Sequence, residues 1–75
     1  MMFEHIKNLR EDRDIKQREI ADYLNVSQNT YSQYETGVIS LTAEALIKLA
    51  LFYDTSIDYL VGITDVKKPY PRREE

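Results

Sequence analysis

The fold is decided by a stretch in the first half of the chain, residues 17–37, which reads QREIADYLNVSQNTYSQYETG. Its first part predicts a short helix, because apolar residues recur at helical spacing at Ile20, Ala21 and Leu24. Asn25 is expected to end that helix, since asparagine tolerates the left-handed backbone that a helix end requires. Ser27 follows two residues later and is a preferred N-cap for another helix. The stretch therefore predicts two helices joined by a very tight turn.

The second helix of this stretch is predicted to have two different faces. Tyr31 and Tyr34 give it an inner face, and Gly37 is expected to stop it. Residues three or four apart lie on the same face of a helix. If the two tyrosines face the protein interior, the remaining residues at this spacing form an outer face. That outer face carries short, uncharged, hydrogen-bonding side chains: Gln28, Asn29, Ser32, Gln33 and Thr36.

The sequence on either side predicts three more helices. The first carries Phe3, Ile6 and Leu9 at three-residue spacing and ends in the charged residues 11–14. Thr42 and Ser56 are the expected N-caps of a fourth helix and of a short last one, which Gly62 ends. The fold class is therefore all-α: a compact domain of five short helices over residues 1–65. Residues 66–75 show no periodicity and are expected to form an extended or disordered tail.

Length and composition exclude several classes of protein. Seventy-five residues allow one domain, and the absence of cysteine rules out disulfides and thiolate metal sites. The one histidine, His5, cannot make a metal site alone and is expected on the surface. No apolar run is long enough to span a membrane and no secretory pattern opens the chain, so a cytoplasmic protein is expected. Nothing in the sequence indicates a nucleophile–base set or a cofactor, so we do not expect an enzyme.

Residues 17–37, together with residues 46–50 and 56–62, closely resemble the helix-turn-helix of the phage-repressor and Cro family, also called the xenobiotic-response-element family. The resemblance spans roughly residues 3–62. It implies a repressor-like DNA-binding domain in which helices two and three form the helix-turn-helix and helix three enters the major groove. It also implies a sequence-specific transcriptional regulator, of the repressor type, that binds a two-fold double-stranded DNA operator as a homodimer.

The resemblance assigns roles to individual residues. Four side chains on the outer face of helix three are expected to read bases: Gln28, Asn29, Ser32 and Gln33. Six residues are expected to bind backbone phosphates: Arg13, Lys16, Gln17, Arg18, Ser27 and Thr36. The positions of Arg10 and Glu35 pair internally in relatives, so these two are expected to form a structural ion pair. Lys16 stands where the family usually places a threonine N-cap, which fits either a phosphate contact or drift at a tolerant surface site.

Two points are left open by the sequence. Relatives often have Arg or Lys within helix three and after its closing glycine, where this chain has Ser32, Gln33 and Val38, and this departure concerns affinity rather than fold. The alternative function is a protein-interaction module, such as an antitoxin or antirepressor, that holds a partner near Val38, Ile39 and Tyr53. The expected dimer surface is the last helix and the segment after it, where apolar residues exceed the needs of the core: Ile57, Tyr59, Leu60, Val61 and Ile63.

Overall fold

A computed structural model describes residues 3–69, and this part of the chain contains five α-helices and no β-strand. The helices are α1 (Glu4–Asp12), α2 (Gln17–Leu24), α3 (Gln28–Thr36), α4 (Ala43–Phe52) and α5 (Ile57–Leu60). The all-α prediction with five short helices is confirmed.

Local side-chain chemistry explains where most of these helices begin. The Ser27 hydroxyl oxygen accepts a hydrogen bond from the backbone N–H of Thr30 at 3.1 Å and caps α3. Thr42 caps α4 and Ser56 caps α5 in the same way, each at 3.0 Å. The N-cap of α2 is Lys16, which makes no capping hydrogen bond with its side chain. The start of α2 is thus less stabilised by its own sequence than the start of α3.

Left-handed residues end the two central helices as predicted. Asn25 has a φ of 61° after α2, and Gly37 has a φ of 80° after α3. Asp14 and Asp54 are also left-handed, with φ values of 55° and 53°. The sequence did not reveal these two turns, although aspartate is one of the few side chains that adopts this conformation readily.

The core is built from all five helices and fixes α3 in place. The largest fully buried side chains are Ile6, Ile20, Tyr31, Leu49, Tyr53 and Leu60. Burying each contributes on the order of 2 kcal/mol relative to leaving it exposed. Ala21 is only 1% exposed, and its small side chain suits a position where α2 and α3 approach each other closely. The packing orients one side of α3 inward and leaves the other in solvent.

Two expectations about the surface were wrong. His5 is half-buried: its ring stacks on Tyr59 with the centroids 4.0 Å apart, and its Nδ1 donates to the Tyr59 carbonyl oxygen. His5 lies one turn before the buried Leu9 on the same side of α1, a spacing that could have indicated partial burial. Tyr59 and Leu60 are themselves buried, so the core uses them and they cannot belong to a dimer surface.

The segment that follows α5 remains in contact with the core. The hydroxyl of the buried Thr55 donates to the carbonyl oxygen of Lys67 at 2.6 Å. Residues 66–69 form neither helix nor strand, and residues 70–75 lie outside the described residues, so the tail and the boundary at residue 65 stay predictions.

None of the described helices has the length and apolar character that a membrane span requires. Within residues 3–69, no group of His, Asp and Glu side chains is arranged to hold a metal ion.

Candidate nucleic-acid interface

The outer face of α3 presents several polar side chains that have no hydrogen-bond partner among the residues the structure describes. Gln28 and Asn29 are exposed, and Ser32 and Gln33 are half-buried. Among residues 3–69, the side-chain amides of Gln28, Asn29 and Gln33 make no hydrogen bond. Each amide offers both donors and an acceptor. This face can therefore form hydrogen bonds with another molecule.

The start of α2 lies beside this face. Gln17, the first residue of α2, lines a shallow open hollow together with Gln28, Asn29 and Ser32. The tight turn brings the elements together, since the backbone N–H of Val26 closes α2 on the Ala21 carbonyl at 3.0 Å and α3 starts two residues later. The hollow joins the start of α2 to the outer face of α3.

Two exposed cations flank Gln17 at the start of α2. Lys16 and Arg18 are both exposed, and neither forms an ion pair with a described residue. The first backbone N–H groups of a helix have no intrahelical acceptor, and the helix dipole favours an anion there. The structure thus brings Lys16, Gln17 and Arg18 together where an anion is favoured.

The other predicted phosphate contacts are engaged within the protein to different degrees. Arg13 is exposed, but its Nη2 donates to the Tyr53 carbonyl at 3.1 Å and its guanidinium lies 5.2 Å from the centre of the Tyr53 ring. The Thr36 hydroxyl donates back to the Ser32 carbonyl at 3.2 Å. The Ser27 hydroxyl donates to the hydroxyl of Thr30 at 2.9 Å while it caps α3.

A buried carboxylate organises the inner side of the site. Glu35 is 3% exposed and accepts two hydrogen bonds from Arg10, at 2.6 Å from Nε and 3.1 Å from Nη2. The Tyr31 hydroxyl donates to the same carboxylate at 2.6 Å, and the amide nitrogen of Gln17 donates at 3.1 Å. Arg10 also donates to the Ile15 carbonyl at 2.9 Å. This cluster, the Glu35 network, ties α1 and the start of α2 to the end of α3.

The Glu35 network shifts the titration of its members. Burial alone raises the pKa of Glu35, but hydrogen bonds from Arg10, Tyr31 and Gln17 outweigh it and hold the pKa below its usual value. The hydrogen bond to Glu35 raises the pKa of Arg10. Burial, followed by the hydrogen bond to Glu35, raises the pKa of Tyr31 far above that of a free tyrosine. The carboxylate is therefore ionised and Tyr31 is protonated at neutral pH.

The sequence did not predict two of the four hydrogen bonds that Glu35 accepts. The bond from Tyr31 had a signal, because Tyr31 and Glu35 are four residues apart and adjacent on one helix. The bond from Gln17 had none, because Gln17 lies on another helix and its amide was assigned to a phosphate.

Comparison with known proteins identifies the fold. A protein-family model described as helix-turn-helix matches residues 6–60, which is most of the chain. The chain belongs to this helix-turn-helix family. The resemblance to Cro and phage repressors is thereby confirmed. A crystal structure of a transcriptional regulator from Listeria innocua has the same fold, with a TM-score of 0.77 and 31% identity, over 100% of this chain and 64% of that one.

Curated relatives in the helix-turn-helix family include phage and bacterial regulators. The cryptic phage CTXphi transcriptional repressor RstR of Vibrio cholerae is 43% identical over 62 residues, covering 83% of this chain and 56% of the relative. The regulator ImmR of Bacillus subtilis is 35% identical over 63 residues, covering 84% of this chain and 50% of the relative. Antitoxin PezA of Streptococcus pneumoniae is 30% identical over 69 residues, covering 92% of this chain and 44% of the relative. The chain thus spans only about half the length of these relatives.

Proposed function

We propose that the chain is a sequence-specific DNA-binding transcriptional regulator, acting as a repressor in the cytoplasm, which reads the major groove with α3. The observation that carries the proposal is the outer face of α3 beside the exposed cations at the start of α2: the amides of Gln28, Asn29 and Gln33 make no hydrogen bond to any described residue. The helix-turn-helix family and the phage repressor among its members support the regulatory role. The function needs no enzymatic step, cofactor or metal.

The proposed binding mode separates base contacts from phosphate contacts. Gln28, Asn29 and Gln33 contact base edges with Ser32, and their amides favour adenine, since an amide pairs with the N6 and N7 groups of that base. Lys16, Gln17 and Arg18 hold the DNA backbone, helped by Arg13 and the cap residue Ser27. Thr36 contributes least, because its hydroxyl hydrogen is already donated within α3.

We propose that the chain binds its operator as a homodimer. A helix of nine residues reads few base pairs, so a second copy is needed for useful specificity. With Tyr59 and Leu60 buried, the proposed interface keeps Ile57, Val61 and Ile63 from the predicted set and adds the exposed Val66. Ile63 and Val66 are 76% and 61% exposed, so contact with a second copy would remove their apolar surface from water.

The test is selection of binding sites from a pool of random DNA duplexes with the intact chain. We expect a two-fold symmetric site with half-sites about 34 Å apart and adenine at several contacted positions. Guanine at every position that faces residues 28, 29 and 33 would contradict the proposed reading. Sedimentation with the selected duplex is expected to give two copies per site, and one copy per site would contradict the dimer.

A second function remains open because one relative is named as an antitoxin. A protein-interaction module would use exposed apolar residues near Val38, which is 68% exposed, and the half-buried Ile39. Tyr53 cannot take part as first expected, since it is 2% exposed. A chain that yields no selected duplex, but whose Val38→Asp variant loses a protein partner, would favour this alternative.

A further inference from the structure

We propose that Glu35 is a positioning residue for the DNA contact of Gln17. The buried carboxylate holds the Gln17 amide in one orientation at the edge of the base-reading face. This inference rests on the proposed function, because a DNA contact is what gives the fixed orientation a use.

The chemistry of the two groups determines which way the amide points. An ionised carboxylate only accepts hydrogen bonds, so Gln17 must turn its amide nitrogen toward Glu35, and the two groups lie 3.1 Å apart. The nitrogen carries a second hydrogen, which remains able to donate to a phosphate oxygen. A glutamine without this anchor would have to be ordered when DNA binds, and ordering a flexible side chain weakens binding by about three- to tenfold.

Glu35 is itself held firmly enough to act as an anchor. Its carboxylate is 3% exposed and also accepts hydrogen bonds from Arg10 and Tyr31. Arg10 additionally holds the carbonyl of Ile15, two residues before Gln17, so the backbone leading into α2 is fixed by the same cation. The positive charge of Arg10 lies against the carboxylate, so DNA at Gln17 does not meet an uncompensated negative charge.

The position of Gln17 connects the network to the base-reading residues. Glu35 lies seven residues after Gln28 in α3, about two turns along the helix, so the buried Glu35 lies where the inner face borders the outer face. Gln17 contacts Glu35 and also lines the hollow with Gln28 and Asn29. Glu35 therefore sets where the Gln17 amide stands relative to the outer face of α3.

A purely structural role for Glu35 makes a different prediction. In that case Glu35 and Gln17 affect DNA binding independently, and losses from changing both multiply. If Glu35 acts through Gln17, its substitution has no further effect once the Gln17 amide is gone. A double-mutant cycle separates these two cases.

The experiment measures the affinity of the intact chain and its variants for the selected duplex, per folded molecule, well below the melting temperature of each variant. Gln17→Ala and Glu35→Gln are each expected to weaken binding by about three- to tenfold, and the double variant is expected to bind as Gln17→Ala does. Glu44→Gln, a matched change at an exposed glutamate of α4, should leave the affinity unchanged. Losses that multiply in the double variant would overturn the positioning role.

A second variant tests the proposal without disturbing the buried carboxylate. Gln17→Asn keeps the amide but is one methylene shorter, so it cannot reach both Glu35 and the DNA backbone. We expect it to bind as weakly as Gln17→Ala, and binding as tight as that of the unaltered chain would overturn the proposal. Failure to select any duplex would instead overturn the proposed function, and the positioning role with it.

Discussion

Both faces of α3 carry hydrogen-bonding side chains, but the two faces use them in opposite ways. On the inner face, the polar groups of Tyr31 and Glu35 are buried and hydrogen-bonded. On the outer face, Gln28 and Asn29 are exposed, and their amides have no partner among residues 3–69. Buried groups that are hydrogen-bonded inside the protein stabilise the fold, whereas exposed donors and acceptors on the outer face are available to DNA. One short helix can thus stabilise the fold with one face and leave the other face for recognition.

The largest effect is expected from removing the carboxylate on the inner face. Glu35→Ala leaves Arg10 nearly buried without its partner, which typically costs about 3–5 kcal/mol. The melting temperature should fall by well over 10 °C for a domain of this size. The control is Glu44→Ala, because Glu44 forms a 3.3 Å ion pair with Lys48 on the surface, where such pairs contribute about 0.5 kcal/mol or less. Equal melting temperatures for the two variants would show that the Glu35 network does not stabilise the fold.

A smaller effect is expected from the hydroxyl groups of two buried tyrosines. The hydroxyl of Tyr31 donates to an ionised carboxylate, so Tyr31→Phe should lower the free energy of unfolding by about 1.5–3 kcal/mol. Tyr53 is equally buried, but its hydroxyl has no hydrogen-bond partner in the described part of the chain. Tyr53→Phe should therefore be neutral or slightly stabilising. Denaturant unfolding of both variants checks this, and a larger loss for Tyr53→Phe would contradict it.

The smallest effect on the inner face is expected in acid. The pKa of Glu35 is lower in the folded chain than its ordinary value of 4.5, so the folded state binds fewer protons and Glu35 stabilises it fully above that value. This contribution is lost as the pH falls through the folded pKa. The stability advantage of the parent over Glu35→Gln should thus be constant above about pH 5 and shrink below pH 4.5. Parallel curves of stability against pH would contradict the assigned shift.

The sequence predicts the helices well because their boundaries depend on local chemistry. Ser27, Thr42 and Ser56 cap the helix that follows each of them, and Asn25 and Gly37 are left-handed where the pattern required it. The outer face of α3 follows from helical periodicity once the two tyrosines are placed inward. These are interactions between residues that are close in the sequence.

Most of what the sequence did not predict depends on residues that are distant along the chain, with the Tyr31–Glu35 bond and the left-handed Asp14 and Asp54 as local exceptions. His5 stacks on Tyr59, which is 54 residues away, and Gln17 bonds Glu35 across 18 residues. The pairing of Arg10 with Glu35 was expected only from the resemblance to a family, not from the spacing of the two residues. The roles of the outer-face residues in DNA reading and the dimer surface remain predictions.

The most direct test of the separation between the two faces combines a melt with a footprint on the selected duplex for Gln28→Ala. Gln28 is exposed, so the free energy of unfolding of the variant should lie within about 0.5 kcal/mol of that of the parent. It should bind the duplex about 5- to 150-fold more weakly, because one good amide–base pair discriminates by about 1–3 kcal/mol. Intact folding with a lost footprint is the result we predict. An unchanged footprint, with folding equally intact, would contradict the assignment of the outer face of α3 to base reading.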